Sequence, residues 1–281
     1  MAQDLDSPVF LITGCSTGLG RELVLAVLAD GFRVIATARR VETLIEVENL
    51  GAKILGLDVT WSVQDLAAFA AKATAIYGQV DYLINNAGFG QAGAIEEVSH
   101  EEALRQFNTN FFGLVNTTSA FLPHFRGRRA GTLVHISSEV TSTAVPGIGI
   151  YTASKAAVDA VSDTWAHELA EYGIRSISVQ PGAFRTSFYK DESARTAEAK
   201  IEGYAVAHGT LDFMATQFAA NLPGDPAKAA HNIIKLVTKH ELPLRFVVGE
   251  DAFADFKKFY ERRLEEMEAA RDLSMGTNFD V

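Results

Sequence analysis

Apolar positions along the chain fall into two alternating rhythms. Residues 8–13, 32–37, 82–84, 132–137 and 244–248 are apolar at half or more of their positions, 53–57 is a weaker run, and 174–180 is broken by polar residues between Ile174, Ile177 and Val179. Such runs predict strands buried on both faces. Between and after them, 19–29, 62–77, 99–109, 111–125, 151–171, 227–238 and 252–270 carry apolar residues at helical spacing. Strand followed by helix, repeated, predicts an α/β fold: one doubly wound parallel sheet of about seven strands with helices on both faces. A chain of 281 residues is long enough to build this as a single domain over 1–281.

One stretch leaves the rhythm. Residues 183–221 give no sheet strand but carry Phe184, Phe188, Tyr189, Tyr204, Leu211, Phe213, Met214 and Phe218. A long insertion of this kind predicts a substrate lid. Residues 250–281 read as a C-terminal helix and tail.

Composition narrows the function classes. Lys plus Arg is 25 and Asp plus Glu is 35, so the formal charge is 25 − 35 = −10. That disfavours a nucleic-acid binder, which needs clustered cations. No apolar run approaches the ~20 residues that cross a bilayer. Residues 1–6 have neither a basic segment nor an apolar core, so no signal peptide is expected, and 279–281 match no C-terminal sorting signal. The one cysteine, Cys15, fits a reducing compartment, and the expected location is cytoplasmic. The seven histidines show no metal-ligand spacing, so no metal site is expected.

The first strand runs into Thr13-Gly14-Cys15-Ser16-Thr17-Gly18-Leu19-Gly20, which opens a helix. Gly14 allows a tight turn; Gly18 and Gly20 let backbone approach a pyrophosphate. The helix N-terminus then offers free N–H groups to phosphate. Cys15 reads as a small residue filling this turn. Further on, Tyr151 and Lys155 stand at i and i+4 on one helix face. A phenol near its ordinary pKa of ~10 is a poor acid or base at neutral pH, and a nearby ammonium favours its ionised form. Ser138 closes the fifth strand, and Asn85-Asn86-Ala87-Gly88 closes the fourth. The carboxyl ends of parallel strands share one crevice, so these pieces can meet on one rim. Asn110 sits in a helical stretch, where asparagine is a poor choice unless its side chain has a job.

These motifs, in this order, resemble the short-chain dehydrogenase/reductase family in its single-domain branch. The likeness runs from the first strand to about Thr186. It implies a Rossmann-type NAD(P)-binding domain, with a cofactor held by Gly14, Ser16, Thr17, Gly18, Leu19, Gly20, Asp58, Val59, Asn86, Ala87, Gly88, Tyr151, Lys155, Pro181, Gly182 and Thr186. It places Asn110, Ser138, Tyr151 and Lys155 at the catalytic tetrad. Tyr151 would exchange a proton with the substrate oxygen, and Ser138 would hydrogen-bond that oxygen. Lys155 would lower the Tyr151 pKa and hold the nicotinamide ribose. Asn110 would position a water that links Lys155 to solvent. Ser137, facing the other way along the strand, reads as structural.

The second strand ends in Ala38-Arg39-Arg40 rather than in an acidic residue. Without a carboxylate to repel a 2′-phosphate, and with Arg39 available to pair with one, NADP(H) is favoured over NAD(H). The predicted activity is hydride transfer between nicotinamide and a hydrophobic ketone or secondary alcohol. Phe89, Phe184 and Phe188, with Ser138 and Tyr151, are the expected substrate contacts. The alternatives are a catalytically silent nucleotide-binding scaffold and a lyase on the same fold. A homo-oligomer, dimer or tetramer, is expected through helices 111–125 and 151–171.

Overall fold

The computed structural model describes residues 7–189 and 194–279. Among these residues nine strands form, in chain order: β1 (Val9–Ile12), β2 (Arg33–Ala38), β3 (Lys53–Gly56), β4 (Tyr82–Asn85), β5 (Gly90–Ala92), β6 (Gly131–Ile136), β7 (Ile174–Pro181), β8 (Ala194–Thr196) and β9 (Arg245–Val248). Seven of them make one parallel sheet in the order β3-β2-β1-β4-β6-β7-β9. The helices are α1 (Gly18–Ala29), α2 (Ile45–Asn49), α3 (Val63–Tyr77), α4 (His100–Phe107), α5 (Gly113–Arg128), α6 (Gly149–Glu168), α7 (Ala205–Phe213), α8 (Pro226–Val237), α9 (Glu250–Ala269) and α10 (Arg271–Ser274).

The continuous apolar strands have a direct cause. Phe10 and Ile12 face a core closed by α1 and α8, through Leu23, Val24, Val27, Ile233 and Ile234. Val9 and Leu11 face the opposite core, closed by Leu66 and Phe69 of α3, Phe121 and Phe125 of α5 and Trp165 of α6. Both faces of β1 are buried, so no position on it is free to be polar. The sheet order reverses at β1, whose neighbours are β2 and β4, and the crevice at such a switch point is where ligands bind in this architecture.

Three features depart from the sequence reading. The 183–221 excursion does hold a strand: β8 pairs in parallel with β5, Gly90 opposite Ala194, in a small separate sheet. Each partner spans three residues, too short for a two-residue periodicity to show. Residues 99–125 are one helical run, α4 and α5 joined by a π turn at Asn108–Phe112. Val41–Asn49, unassigned from sequence, forms a 3-10 turn and α2. The terminal readings for 1–6 and 280–281, the Tyr189 side chain and residues 190–193 of the excursion lie outside the described residues. No helix among the described residues is long and apolar enough to cross a membrane, and no cluster of metal-ligating side chains occurs among them.

Candidate active site

A cavity of about 1110 Å³ opens at the switch point. Pockets for one drug-sized ligand run to ~1,000 Å³, so this one has room for more than a single small molecule. One wall is the glycine turn. Gly14 (φ 70°) and Gly18 (φ 61°) lie in the left-handed region. A Cβ on Gly20 would stand 2.2 Å from the Gly14 carbonyl oxygen and 2.4 Å from Asn86 Nδ2. Thr13 Oγ1 accepts the N–H groups of both Asn86 and Ala87 at 2.9 Å, and Asn86 Nδ2 donates to the carbonyls of Thr13 and Gly14. The first loop is thereby tied to the end of β4. Thr17, at the N-cap of α1, makes no side-chain cap bond, so the first-turn N–H groups face the cavity's contents directly.

Ser16, Thr17, Leu19, Ala87 and Gly88 line this wall, with Arg39 at the end of β2 and Asp58 and Val59 after β3. Asp58 Oδ1 accepts from the Thr60 N–H at 2.9 Å and from its hydroxyl at 2.7 Å, which fixes the loop beside the cavity. Pro181, Gly182 and Thr186 close the far end. Cys15 is buried, its thiol against the Ile12 carbonyl at 3.1 Å, and burial pushes it up to about 12. It fills space in the turn.

Ser138, Tyr151 and Lys155 meet on the opposite side of the same cavity. Ser138 stands two residues beyond the end of β6, where its hydroxyl favours the ionised form of the Tyr151 phenol. Ser137 instead points away, donating to the Lys155 carbonyl at 3.2 Å. Lys155 Nζ donates to the Ile136 carbonyl at 2.8 Å and lies 5.9 Å from the centroid of the Tyr151 ring. Burial pushes Lys155 down to about 8, against the attraction of Asp159. Tyr151 was expected to have a lowered pKa beside the ammonium. In the structure burial dominates and pushes it up to about 12, against the Ser138 hydrogen bond, and Glu139 pushes the same way.

Asn110 does not line the cavity. The π turn aims its buried side chain at the backbone of Phe89: Oδ1 accepts the Phe89 N–H at 3.0 Å, and Nδ2 donates to the Phe89 carbonyl at 2.9 Å and to Ser154 Oγ at 3.3 Å. A Cβ on Gly88 would meet Asn110 Oδ1 at 3.1 Å and Lys155 Nζ at 3.6 Å, so Asn110 and Lys155 flank the bare Gly88 backbone.

On the outer side, Phe89, Phe184 and Phe188 line the cavity, and the Phe188 ring lies 5.8 Å from that of Tyr151. Phe184 also packs into the core beneath β7. Leu211 and Met214 reach the cavity; Tyr204, Phe213 and Phe218 do not. Tyr204 bonds Glu96 instead, and Phe213 pairs with Phe218 on a half-exposed face. Sequence reasoning missed Glu139, Gln91 and Arg195 in this lining. Glu139 was open to detection, because it directly follows Ser138. Arg195, stacked 4.7 Å over the Phe89 ring, was not, because only the β5–β8 pairing brings it there.

A family model described as short chain dehydrogenase matches residues 8–197. A 3-ketodihydrosphingosine reductase of Bacteroides thetaiotaomicron is 35% identical over 243 residues, covering 86% of this chain and 87% of the relative. The crystal structure of a short-chain dehydrogenase from Streptomyces avermitilis superposes with a TM-score of 0.88 at 36% identity, covering 97% of this chain and 99% of that one. A serine dehydrogenase in its closed form with NADP+ superposes with a TM-score of 0.72 at 26% identity, covering 85% of this chain and 94% of that one.

Proposed function

The chain belongs to the short-chain dehydrogenase/reductase family and is an NAD(P)-dependent oxidoreductase of that family, and we propose that it transfers hydride between NADP(H) and a hydrophobic ketone or secondary alcohol. The observation that carries this reading is the meeting of Ser138, Tyr151 and Lys155 across one cavity from the glycine turn.

The glycine wall fits a dinucleotide. Gly14 and Gly20 let the turn pack tightly on the end of β4 where a Cβ would collide, Gly18 holds a left-handed φ, all three line the cavity, and the N-terminus of α1 faces it. When bound, the nicotinamide supplies or accepts the hydride. The protein's residues do the rest. Ser138 donates a hydrogen bond to the substrate oxygen. Tyr151 gives its phenolic proton to that oxygen during reduction and takes it back during oxidation. Lys155, fixed by the Ile136 carbonyl, holds the ribose and brings its positive charge to the phenolate. Asn110 holds the Phe89 backbone, and thus the rim between cofactor and substrate.

NADP(H) is the preferred cofactor because Ala38 brings no carboxylate to a 2′-phosphate while Arg39 lines that end of the cavity. The serine dehydrogenase relative was solved with NADP+, which accords with this. Phe89, Phe188, Leu211 and Met214 favour an apolar substrate, with 183–221 as its lid. The name of the Bacteroides relative likewise carries a ketone. The reading includes a cytoplasmic, homo-oligomeric enzyme. Within helices 111–125 and 151–171, Phe121 and Phe125 are spent on the core and Phe112 is exposed. A monomer by light scattering would overturn the oligomer.

The test is turnover of NADPH with carbonyl compounds from acetone-sized to bicyclic and steroid-sized. Catalytic efficiency is expected to rise with apolar size. A flat series, or preference for short polar hydroxy acids, would remove the lid reading; no turnover of any carbonyl would remove the activity.

A further inference from the structure

Glu139 is the charged group nearest in sequence to the proposed chemistry, and nothing above gives it a task. It follows Ser138 on a 3-10 turn, Glu139–Thr141, that the Ser138 side chain caps. It lines the cavity that Tyr151 and Ser138 line. Its backbone carbonyl accepts from the Ser142 hydroxyl, but its carboxyl has no hydrogen bond or ion pair among the described residues.

Among the described residues, the charged groups that act on it share its sign. Asp251 and Asp255 of α9 repel it, and it in turn disfavours ionisation of Tyr151 on α6. Asp251 is committed elsewhere: its Oδ2 accepts the Ala183 N–H at 2.8 Å, and its Oδ1 packs against Gly182 and Gly249. Among the described residues, no lysine, arginine or histidine acts on Glu139. Lys155 is turned to Ile136, and Arg195 is stacked on Phe89. Burial together with the two aspartates pushes Glu139 up to about 8. A partly buried carboxyl without a cation is unfavourable in the protein alone, and a ligand that brings the cation gains from the pairing.

We propose that Glu139 is a specificity-determining residue that receives a cationic nitrogen carried by the substrate close to its reacting carbon, so that the preferred substrates are amino ketones or amino alcohols with an apolar remainder. This inference rests on the oxidoreductase reading above. Binding such a cation would ionise Glu139 and release a proton, so affinity would rise with pH until Glu139 is ionised without help.

The experiment compares two ketones of equal shape: one bearing a permanent trimethylammonium group near the carbonyl, the other its neutral tert-butyl isostere. A fixed charge removes the amine's own titration. The ratio of their kcat/KM values, measured with NADPH from about pH 6 to about pH 9, is expected to exceed about tenfold at the high end, the scale of a charge-assisted contact. It should shrink toward low pH. Glu139→Gln should bring the ratio near one, and Glu139→Asp should keep part of it. A ratio of one in the wild-type enzyme at high pH overturns the proposal. So does a ratio that Glu139→Gln leaves unchanged, or a Glu139→Gln effect confined to the balance of NADP+ over NADPH affinity. If Glu139→Gln does not fold, the wild-type ratio and its pH dependence decide alone. If neither ketone is reduced, the activity reading fails separately. Calorimetry of the trimethylammonium ketone with wild-type enzyme and NADP+, in buffers of different ionisation enthalpy, then decides: binding with proton release supports Glu139, and no binding overturns it.

Discussion

The two walls of the cavity are built by different means. At the glycine wall, Gly14 and Gly20 have no room for a side chain, Gly18 holds a left-handed φ, and Thr13 and Asn86 tie the turn to β4 with four hydrogen bonds. At the outer wall, the short β5–β8 sheet and α7 carry the lining, and much of their surface faces solvent; Val206 is 72% and Phe213 50% exposed. What holds the outer wall is a pair of buried carboxylates from another part of the chain. Glu97 accepts the N–H groups of Ala94 and Ile201 and bonds His208 at 2.6 Å, while Glu102 accepts the N–H of Glu198 at 3.1 Å. One wall is fixed by backbone geometry, the other by a few long-range polar contacts. That difference suits a constant cofactor on one side and an adjustable substrate on the other.

The comparison can be broken or sharpened by substitution. The largest effect is expected between the walls. Tyr151→Phe keeps the ring and removes the proton donor, so turnover should fall roughly a thousandfold, the scale of general acid catalysis. Cofactor affinity, measured by fluorescence titration, should change little. Activity within a few-fold of the wild type would remove Tyr151 from the chemistry.

Next comes the rigid wall. Gly20→Val drives a Cβ into the Gly14 carbonyl at 2.2 Å. Overpacking at a site that cannot yield costs about 1–3 kcal/mol, and the closest cofactor approach is lost with it. NADPH binding should weaken about a hundredfold or more, with a lower Tm. Retained affinity would show that the turn yields after all. Ala38→Asp tests the same wall by charge. The new carboxylate should repel a 2′-phosphate and shift the NADPH-to-NADH ratio of kcat/KM about tenfold or more toward NADH. An unchanged ratio would place the phosphate elsewhere.

The adjustable wall should answer more gently. Leu211→Ala removes apolar lining worth about 1–3 kcal/mol to a large substrate. It should lower kcat/KM about tenfold for bulky ketones and hardly at all for acetone-sized ones. Equal loss for both would mean that Leu211 supports the fold rather than the pocket. Smallest of all, Glu97→Gln keeps the shape but weakens the bonds to Ile201 and His208, which hold the Glu97 carboxyl well below the usual carboxylate range. KM for bulky ketones should rise a few-fold with kcat nearly constant, since the lid is loosened and the chemistry untouched. A fall in kcat alone would contradict the lid.

The chain's own sequence determined what depends on neighbours along it. Strands buried on both faces are mostly apolar, β1 at every position and β2 at all but Arg33 and Thr37, so both were legible at once. A turn that must approach phosphate has to be glycine at Gly14, Gly18 and Gly20, and one helix turn sets Tyr151 beside Lys155. Tertiary structure decided whatever joins distant segments. Gly90 pairs with Ala194 only because two loops cross. Asn110 serves Phe89 because a π turn aims it there, and the sign of the Tyr151 shift depends on how deeply α6 buries the phenol. Glu139 meets Asp251 and Asp255 only once α9 packs beside β6's end. Periodicity and turn chemistry are local and survive in one dimension; burial and charge proximity are properties of the folded volume, and no spacing along the chain encodes them.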